Sequence, residues 1–248
     1  MPAQKNKIAI CLIVKNEPQM IPEYVDYYLK LGADTIIIYD NDSDTPVVSD
    51  NSNVIVNKWA TVWPANQMRA YHDCALRYSQ EYKWIGFFDS DEYVILKKHN
   101  NLVEFLNDYD RFCGVGINWV CFGSSGIEKH VSHKDYNRHC RFDDPINTHI
   151  KSFIKPEYMY RLPGDPHFLV PNTADTDGNI LRGPFSPFKN DVAYLKHCIM
   201  RTQEDYLKKV NRGRADVPEK ERNFRSLEKW EEHSKVFNEC SDETKIWS

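Results

Sequence analysis

Along the first hundred residues, runs of apolar side chains alternate with short polar breaks. "KIAICLIV" (7–14) is apolar at nearly every position, as is "DTIIIYD" (34–40); "NVIVNKW" (53–59) and "KWIGFFDSD" (83–91) follow the same pattern. Short apolar runs rich in β-branched residues, without alternation, predict strands covered on both faces. Between them the period changes. In "PEYVDYYLKLGA" (22–33), Tyr24, Val25, Tyr28, Leu29 and Leu31 recur at helical spacing, after Pro22 and before Gly32, which suits a helix with those ends. "ANQMRAYHDCALRYSQEY" (65–82) reads as a second helix. The order strand, helix, strand, strand, helix, strand predicts an α/β fold with a mixed, mostly parallel sheet and helices on both faces.

The second half is less regular. "GVGINWVCFGSSG" (114–126) predicts a strand running into a Gly/Ser loop, and "HIKSFIKP" (149–156) and "VAYLKHCIM" (192–200) are further strand candidates. The stretch between these two is rich in proline and glycine, including Pro163, Gly164, Pro166, Pro171, Gly178, Gly183, Pro184 and Pro187. Long irregular segments in compact domains are usually functional, so 163–216 is expected to close over a ligand. A helix is expected to start at Thr202, ahead of Glu204 and Asp205. The charged tail, 217–248, is expected to form a peripheral helix.

Composition narrows the function classes. The 248 residues are 41% hydrophobic with a formal net charge of −4, which fits a globular protein and gives no reason to expect nucleic acid as a partner. Seven cysteines without a C-x-x-C pair suggest reduced thiols and a cytoplasmic setting. The longest apolar run near the start, "IAICLIV", is far shorter than a membrane span, and no signal-peptide pattern is visible. Membrane association is expected to be peripheral at most, at the inner face.

Charge at the strand ends is the informative feature. Ligands of such sheets bind outside the carboxyl ends of the strands, and polar clusters follow three strands: Asn16 and Glu17, then Asp40 to Asp42, then Asp89 to Glu92. Asp89, Asp91 and Glu92 sit between two apolar runs, where negative charge is costly unless a cation shares it. Asp-x-Asp after a buried strand suits Mg²⁺ or Mn²⁺, which commonly bridges carboxylates to the phosphates of a nucleotide. Such an ion also neutralises a departing diphosphate.

"CLIVKNEPQMIPEYVDYYLKLGADTIIIYDNDSD" followed by "WIGFFDSDEYV" resembles the GT-A glycosyltransferases, in the group related to families 2 and 92. "NWVCFGSSG", "HIKSFIKP", the histidine of "GDPHF" and "LKHCIMRTQEDYLKKVNRGRAD" extend the resemblance over roughly residues 7 to 216. It implies an inverting transfer of sugar from a nucleotide-diphospho-sugar, with UDP-sugar favoured, to a hydroxyl of a glycan or glycolipid. It also implies one domain over 1–216, with a nucleotide-sugar half (1–98) and an acceptor half (99–216). Asn16 and Glu17 match the start of the nucleotide pocket, and Asp40 a position that recognises base or ribose. Asp89 and Asp91, flanking Ser90, match the D-x-D, with Asp91 the more direct metal ligand, and Glu92 matches a supporting position. His197 matches a metal-ligating histidine.

Other assignments stay open. An inverting transfer needs a base for the acceptor hydroxyl, and the Glu-Asp pair of family 2 has no clear counterpart. Asp165, in the Pro/Gly-rich loop, ranks ahead of Glu128 and Asp144. His167 competes with His197 for the metal and is placed on the acceptor side with Trp119, Ser124 and Ser125. Cations for the diphosphate could come from Arg69, Lys151, Lys155 or the group "KKVNRGR" (208–214), in which Lys208, Arg212 and Arg214 would form a basic strip. A sugar nucleotidyltransferase is the main alternative, but "KNEPQM" lacks the glycine-rich phosphate loop it would need. A glycoside hydrolase, and a nucleotide-sugar-binding protein without activity, are the others.

Overall fold

The computed structural model describes residues 6–60, 66–212 and 227–242, with side chains omitted in 210–212. Four parallel strands form one half of the main sheet: β1 (Lys7–Val14), β2 (Thr35–Asp40), β3 (Val54–Lys58) and β4 (Tyr82–Phe87). The helices α1 (Ile21–Leu31) and α2 (Asn66–Tyr78) connect them. The other half contains β5 (Glu92–Leu96), β6 (Gly114–Cys121), β8 (Ile150–Ile154), the two-residue β9 (Thr173–Ala174) and β10 (Ala193–His197). The strand order is β3-β2-β1-β4-β8-β6-β10-β5, with β9 against β6. β8 runs antiparallel to β4 and β6, and β5 antiparallel to β10. The α/β, mixed and mostly parallel sheet expected from the sequence is what forms.

The sheet is buried on both faces because neighbouring residues of one strand enter different cores. In β1, Ile8, Ile10, Leu12 and Val14 join the core that α1 covers, while Ala9 and Cys11 join the one that α2 covers. Gly32 ends α1 at φ 107°, and the amide of the next residue, Ala33, bonds the Tyr28 carbonyl at 2.9 Å. A side chain there would strain that left-handed cap.

Strand direction gathers the chemistry. β1, β2, β4, β6 and β10 end on the rim where β5 and β8 begin. Residues near 16, 40, 90, 121, 150 and 197 therefore meet on one edge, although nearly two hundred positions separate the first from the last.

The proline- and glycine-rich stretch is more firmly held than its composition suggests. β9 pairs with β6, and Leu169, Val170 and Leu181 are buried. The Asp175 carboxylate gathers the amides of Asp177 and Asn179 and the ammonium of Lys189. The remaining α-helices are α3 (Leu102–Asn107), α4 (Gln203–Arg212) and α5 (Leu227–Phe237), and β11 (Cys240–Ser241) pairs with β7 (Arg138–His139). Thr202 caps α4 by accepting the Asp205 amide. None of the described helices is long and apolar enough to cross a membrane. All seven cysteines are free thiols.

Candidate active site

The acids that end β4 are each met by cations. Asp91, 2% exposed, receives Arg201 Nη2 at 2.9 Å and Lys209 Nζ at 3.0 Å, both on Oδ2. Its Oδ1 faces His197 Nε2 at 3.8 Å. Arg201 also reaches back to the first strand end, with Nη1 2.8 Å from Glu17. Ser90 donates its hydroxyl to the same Glu17 carboxylate. Asp89 accepts Gln67 Nε2 at 2.8 Å, the Tyr71 hydroxyl at 3.4 Å and Lys151 Nζ at 3.0 Å. Glu92, fully buried, takes the Asp89 amide at 2.8 Å and lies 3.7 Å from Lys151.

Burial and neighbours divide these acids. Burial alone would raise Asp91, but Lys209 and Arg201 outweigh it and hold the carboxyl well below the usual range. Asp89 is lowered in the same way, burial being overcome chiefly by Lys151. For Glu92, burial wins over Lys151, and the acid is pushed up to about 8. Burial likewise brings His197 down to about 3, so its imidazole is neutral and can serve as a ligand. Asp91 is thus a fixed anion beside a neutral imidazole, and Glu92 is neutral at pH 7.

The connecting loops are built to hold this arrangement. Asn16, Asp42 and Arg201 have positive φ, 53°, 55° and 55°, a conformation that persists in non-glycine residues only where the surroundings over-determine it. Asn16 Oδ1 accepts the Asp44 amide at 2.8 Å, and its own amide donates to Ser43 at 2.9 Å, which joins the first two strand ends. Asp40 closes the second loop by accepting the amides of Ser43 and Val47. Beside Asp91 opens a cleft of about 530 Å³, lined by Asn16, Glu17, Gln19, Arg201, Lys208 and Lys209 among others.

Of the residues singled out in the sequence, Glu17, Ser90 and Asp91 are tied together through Arg201, Asp89 is bonded to Lys151 and through its amide to Glu92, and His197 stands 3.8 Å from Asp91. Trp119 lies 4.3 Å from His197 between ring centroids, and His167 stands 5.0 Å from Trp119. Asn16 and Asp40 lie on the same rim with their side chains engaged by the loops. Arg69 is exposed on α2, while Gln67 of that helix reaches Asp89. Lys155 pairs with Asp110 at the opposite end of β8, and Lys208 with Glu204. Glu128 is exposed, and Asp144 caps a short turn through the Ile146 amide. Asp165 accepts the His167 amide at 2.7 Å. The Arg212 side chain and Arg214 lie outside the described residues.

Ser124 and Ser125 have structural partners. Ser125 Oγ accepts the amides of Asn137 and Arg138, and Ser124 Oγ accepts Gly126 N and Asn238 Nδ2. The C-terminal end of α5 presses on this loop so closely that a Cβ on Gly123 would come within 2.6 Å of the Phe237 carbonyl. The expected peripheral tail is, over 227–242, a clamp on the end of β6. Arg201 was not singled out in the sequence, and Lys209 only as a member of the basic group "KKVNRGR". The only local signal for Arg201 is a basic residue four positions beyond His197, in "HCIMR".

Comparison with known proteins identifies the family. The model of "Glycosyltransferase family 92" matches residues 6–162. Glycosyltransferase family 92 proteins of Ricinus communis and Arabidopsis thaliana are each 30% identical over 174 residues, covering 62% of this chain and 29% and 30% of theirs. One from Oryza sativa subsp. japonica is 27% identical over 165 residues, covering 62% and 28%. The chain therefore matches less than a third of the length of these curated relatives. A solved structure, Rv0371C of Mycobacterium tuberculosis H37Rv in complex with manganese, has 11% identity and a TM-score of 0.30 over 51% of this chain and 69% of its own, a likeness too slight to carry an argument. With the family model matching well over half of its length, the chain belongs to glycosyltransferase family 92.

Proposed function

We propose that this chain transfers a sugar from a nucleotide-diphospho-sugar, UDP-sugar favoured, to a hydroxyl of a saccharide or lipid-linked saccharide, with inversion at the anomeric carbon. The observation that carries this reading is Asp91: a buried, ionised carboxylate at the carboxyl edge of the sheet, on which His197, Arg201 and Lys209 converge. Family membership supports transfer as the reaction class.

The resemblance implies Mn²⁺ or Mg²⁺, and part of the donor set fits. Asp91 Oδ1 and the neutral His197 Nε2 face each other at 3.8 Å, whereas the Asp89 oxygens are filled by Gln67, Tyr71 and Lys151. No group of three candidate ligand side chains occurs among the described residues. Such ions often take only one or two protein ligands, and phosphate and water supply the rest, so Asp91 and His197 would hold the metal. When bound, it supplies Lewis-acid neutralisation of the diphosphate.

The chain's own groups account for the remaining work. Lys208 and Lys209 line the cleft beside Asp91 and suit the charge that builds on a departing diphosphate. Gln67 and Tyr71 fix Asp89, and the buried Lys151 beneath it keeps that half-exposed acid ionised. The work is expected to take place in the cytoplasm or at the inner face of a membrane.

Thermal denaturation with UDP, GDP and CMP, each with Mn²⁺ or excess chelator, tests donor class and metal together. UDP should raise the melting temperature only with the metal. Equal stabilisation by UDP in chelator would exclude a metal bridge to the diphosphate.

A further inference from the structure

Beyond His197 the rim carries a wall of rings. Trp119 of β6 contacts His197, and His149 stacks on Trp119 at 4.9 Å with planes 15° apart. Phe185, 56% exposed, meets His149 edge-on at 4.7 Å and continues the wall to the surface. Exposed rings beside a transfer site suit the apolar C–H face of a sugar. His167 stands edge-on to Trp119 and 5.4 Å from His149.

The imidazole of His167 has a defined orientation. Its Nδ1 lies 2.7 Å from the Ile150 carbonyl oxygen. A carbonyl only accepts, so Nδ1 carries the proton and Nε2 keeps the lone pair. Nε2 has no hydrogen-bond partner among the described residues, and the side chain is half-buried. Ile150 immediately precedes Lys151, whose ammonium binds Asp89, which ties the imidazole to the strand that supports the acidic cluster. Burial, helped by Lys151, lowers His167 to about 4, so it is neutral at pH 7 with the basicity of an ordinary carboxylate. Asp165, the stronger candidate in the sequence, has an oxygen committed to the amide of His167 itself.

We propose that His167 is the general base, taking the proton of the acceptor hydroxyl on Nε2 while the acceptor sugar lies against His149 and Phe185. This rests on the inverting, nucleotide-sugar-dependent reading given above. The acceptor oxygen forms its bond to the anomeric carbon as the bond from that carbon to the diphosphate oxygen breaks. The electron pair of the broken bond leaves with the nucleoside diphosphate. The hydroxyl proton passes to Nε2, and the imidazolium keeps its Nδ1–H on the Ile150 carbonyl. Asp165 is then a positioning residue that shapes the loop.

The test measures UDP release from UDP-glucose and UDP-galactose, with a mixture of small saccharides as acceptors, alongside UDP binding. In His167→Asn the amide nitrogen can still donate to Ile150, so the loop is preserved while the base is lost. This variant should bind UDP within threefold of wild type and lose at least about a hundredfold in kcat, the usual scale for a general base. Added imidazole should restore part of the activity of His167→Gly, and Asp165→Asn should lose less than about tenfold, since it loses no proton acceptor. Retention of kcat within threefold by His167→Asn would overturn the proposal, as would an equal loss in Asp165→Asn with no imidazole rescue. If wild type releases no UDP from either sugar, the transfer reading fails and this proposal falls with it, a result distinct from a wild type and a His167→Asn variant that turn over alike.

Discussion

Arg201 Nη2 and Asp91 Oδ2 meet 2.9 Å apart, with both side chains almost fully buried. The same guanidinium holds Glu17 at 2.8 Å, from a backbone with φ of 55°. One cation thus joins the ends of β1 and β4 to the start of α4, and its removal would leave two buried carboxylates with diminished compensation. Breaking a buried pair from one side costs about 3–5 kcal/mol, so Arg201→Met should lower the free energy of unfolding by that order in urea titrations at pH 7. A loss below about 1 kcal/mol would place this pair with weak surface bridges.

Glu92 gives a pH signature. Its folded value of about 8 lies above that of the unfolded chain, near 4.3. The folded state therefore binds the proton more tightly, and the associated stability is full below pH 4.3 and is lost as pH rises towards 8. Glu92→Gln removes this titration. The variant should gain on wild type steadily from about pH 4.5 to 8, read from melting temperatures across that range. A constant difference between the two proteins would show that Glu92 titrates normally.

Asp40 is expected to act first on its loop. Its carboxylate satisfies the amides of Ser43 and Val47, and an orphaned buried amide costs about 1–3 kcal/mol. Asp40→Ala should lose about that much stability before any nucleotide is added, with Asp40→Asn losing less because its amide oxygen still accepts. Calorimetry without ligand decides this, and an Asp40→Ala variant as stable as wild type would return the residue to a purely ligand-binding role.

Ser125 separates two readings of the "GSSG" loop. Its hydroxyl accepts two amides, at 2.9 and 3.0 Å. Ser125→Ala should destabilise the fold by about 0.5–1.5 kcal/mol and leave acceptor KM within about threefold, a shift below 1 kcal/mol. An acceptor KM raised tenfold with unchanged stability would make Ser125 an acceptor ligand.

The parallel half of the sheet was legible because β1, β2 and β4 are apolar on both faces and leave their acids at the carboxyl ends. That pattern alone places Glu17, Asp89 and Asp91 on one rim. Helix α3 escaped notice. Its six residues are too few for a periodic stripe, although Asn101 accepts the Glu104 amide as a cap. Arg201 is hidden for a different reason, and Lys209 is visible only as part of a basic group. A cation that serves a buried acid more than a hundred positions away has no local signature, and "KKVNRGR" reads as a solvated helix face. The serines of "GSSG" looked free because nothing in their neighbourhood shows that Asn137, Arg138 and Asn238 return to them.

Turnover of a UDP-sugar by wild type and Asp91→Asn tests sugar transfer at Asp91 most directly. The amide is a poor ligand for a hard cation, while Arg201 keeps Glu17 and so retains a partner. Wild type should release UDP. Asp91→Asn, shown to be folded by circular dichroism, should lose at least about a hundredfold in kcat, or 2.7 kcal/mol of transition-state stabilisation. A folded Asp91→Asn that releases UDP at the wild-type rate, or a wild type that consumes no nucleotide sugar, would contradict it.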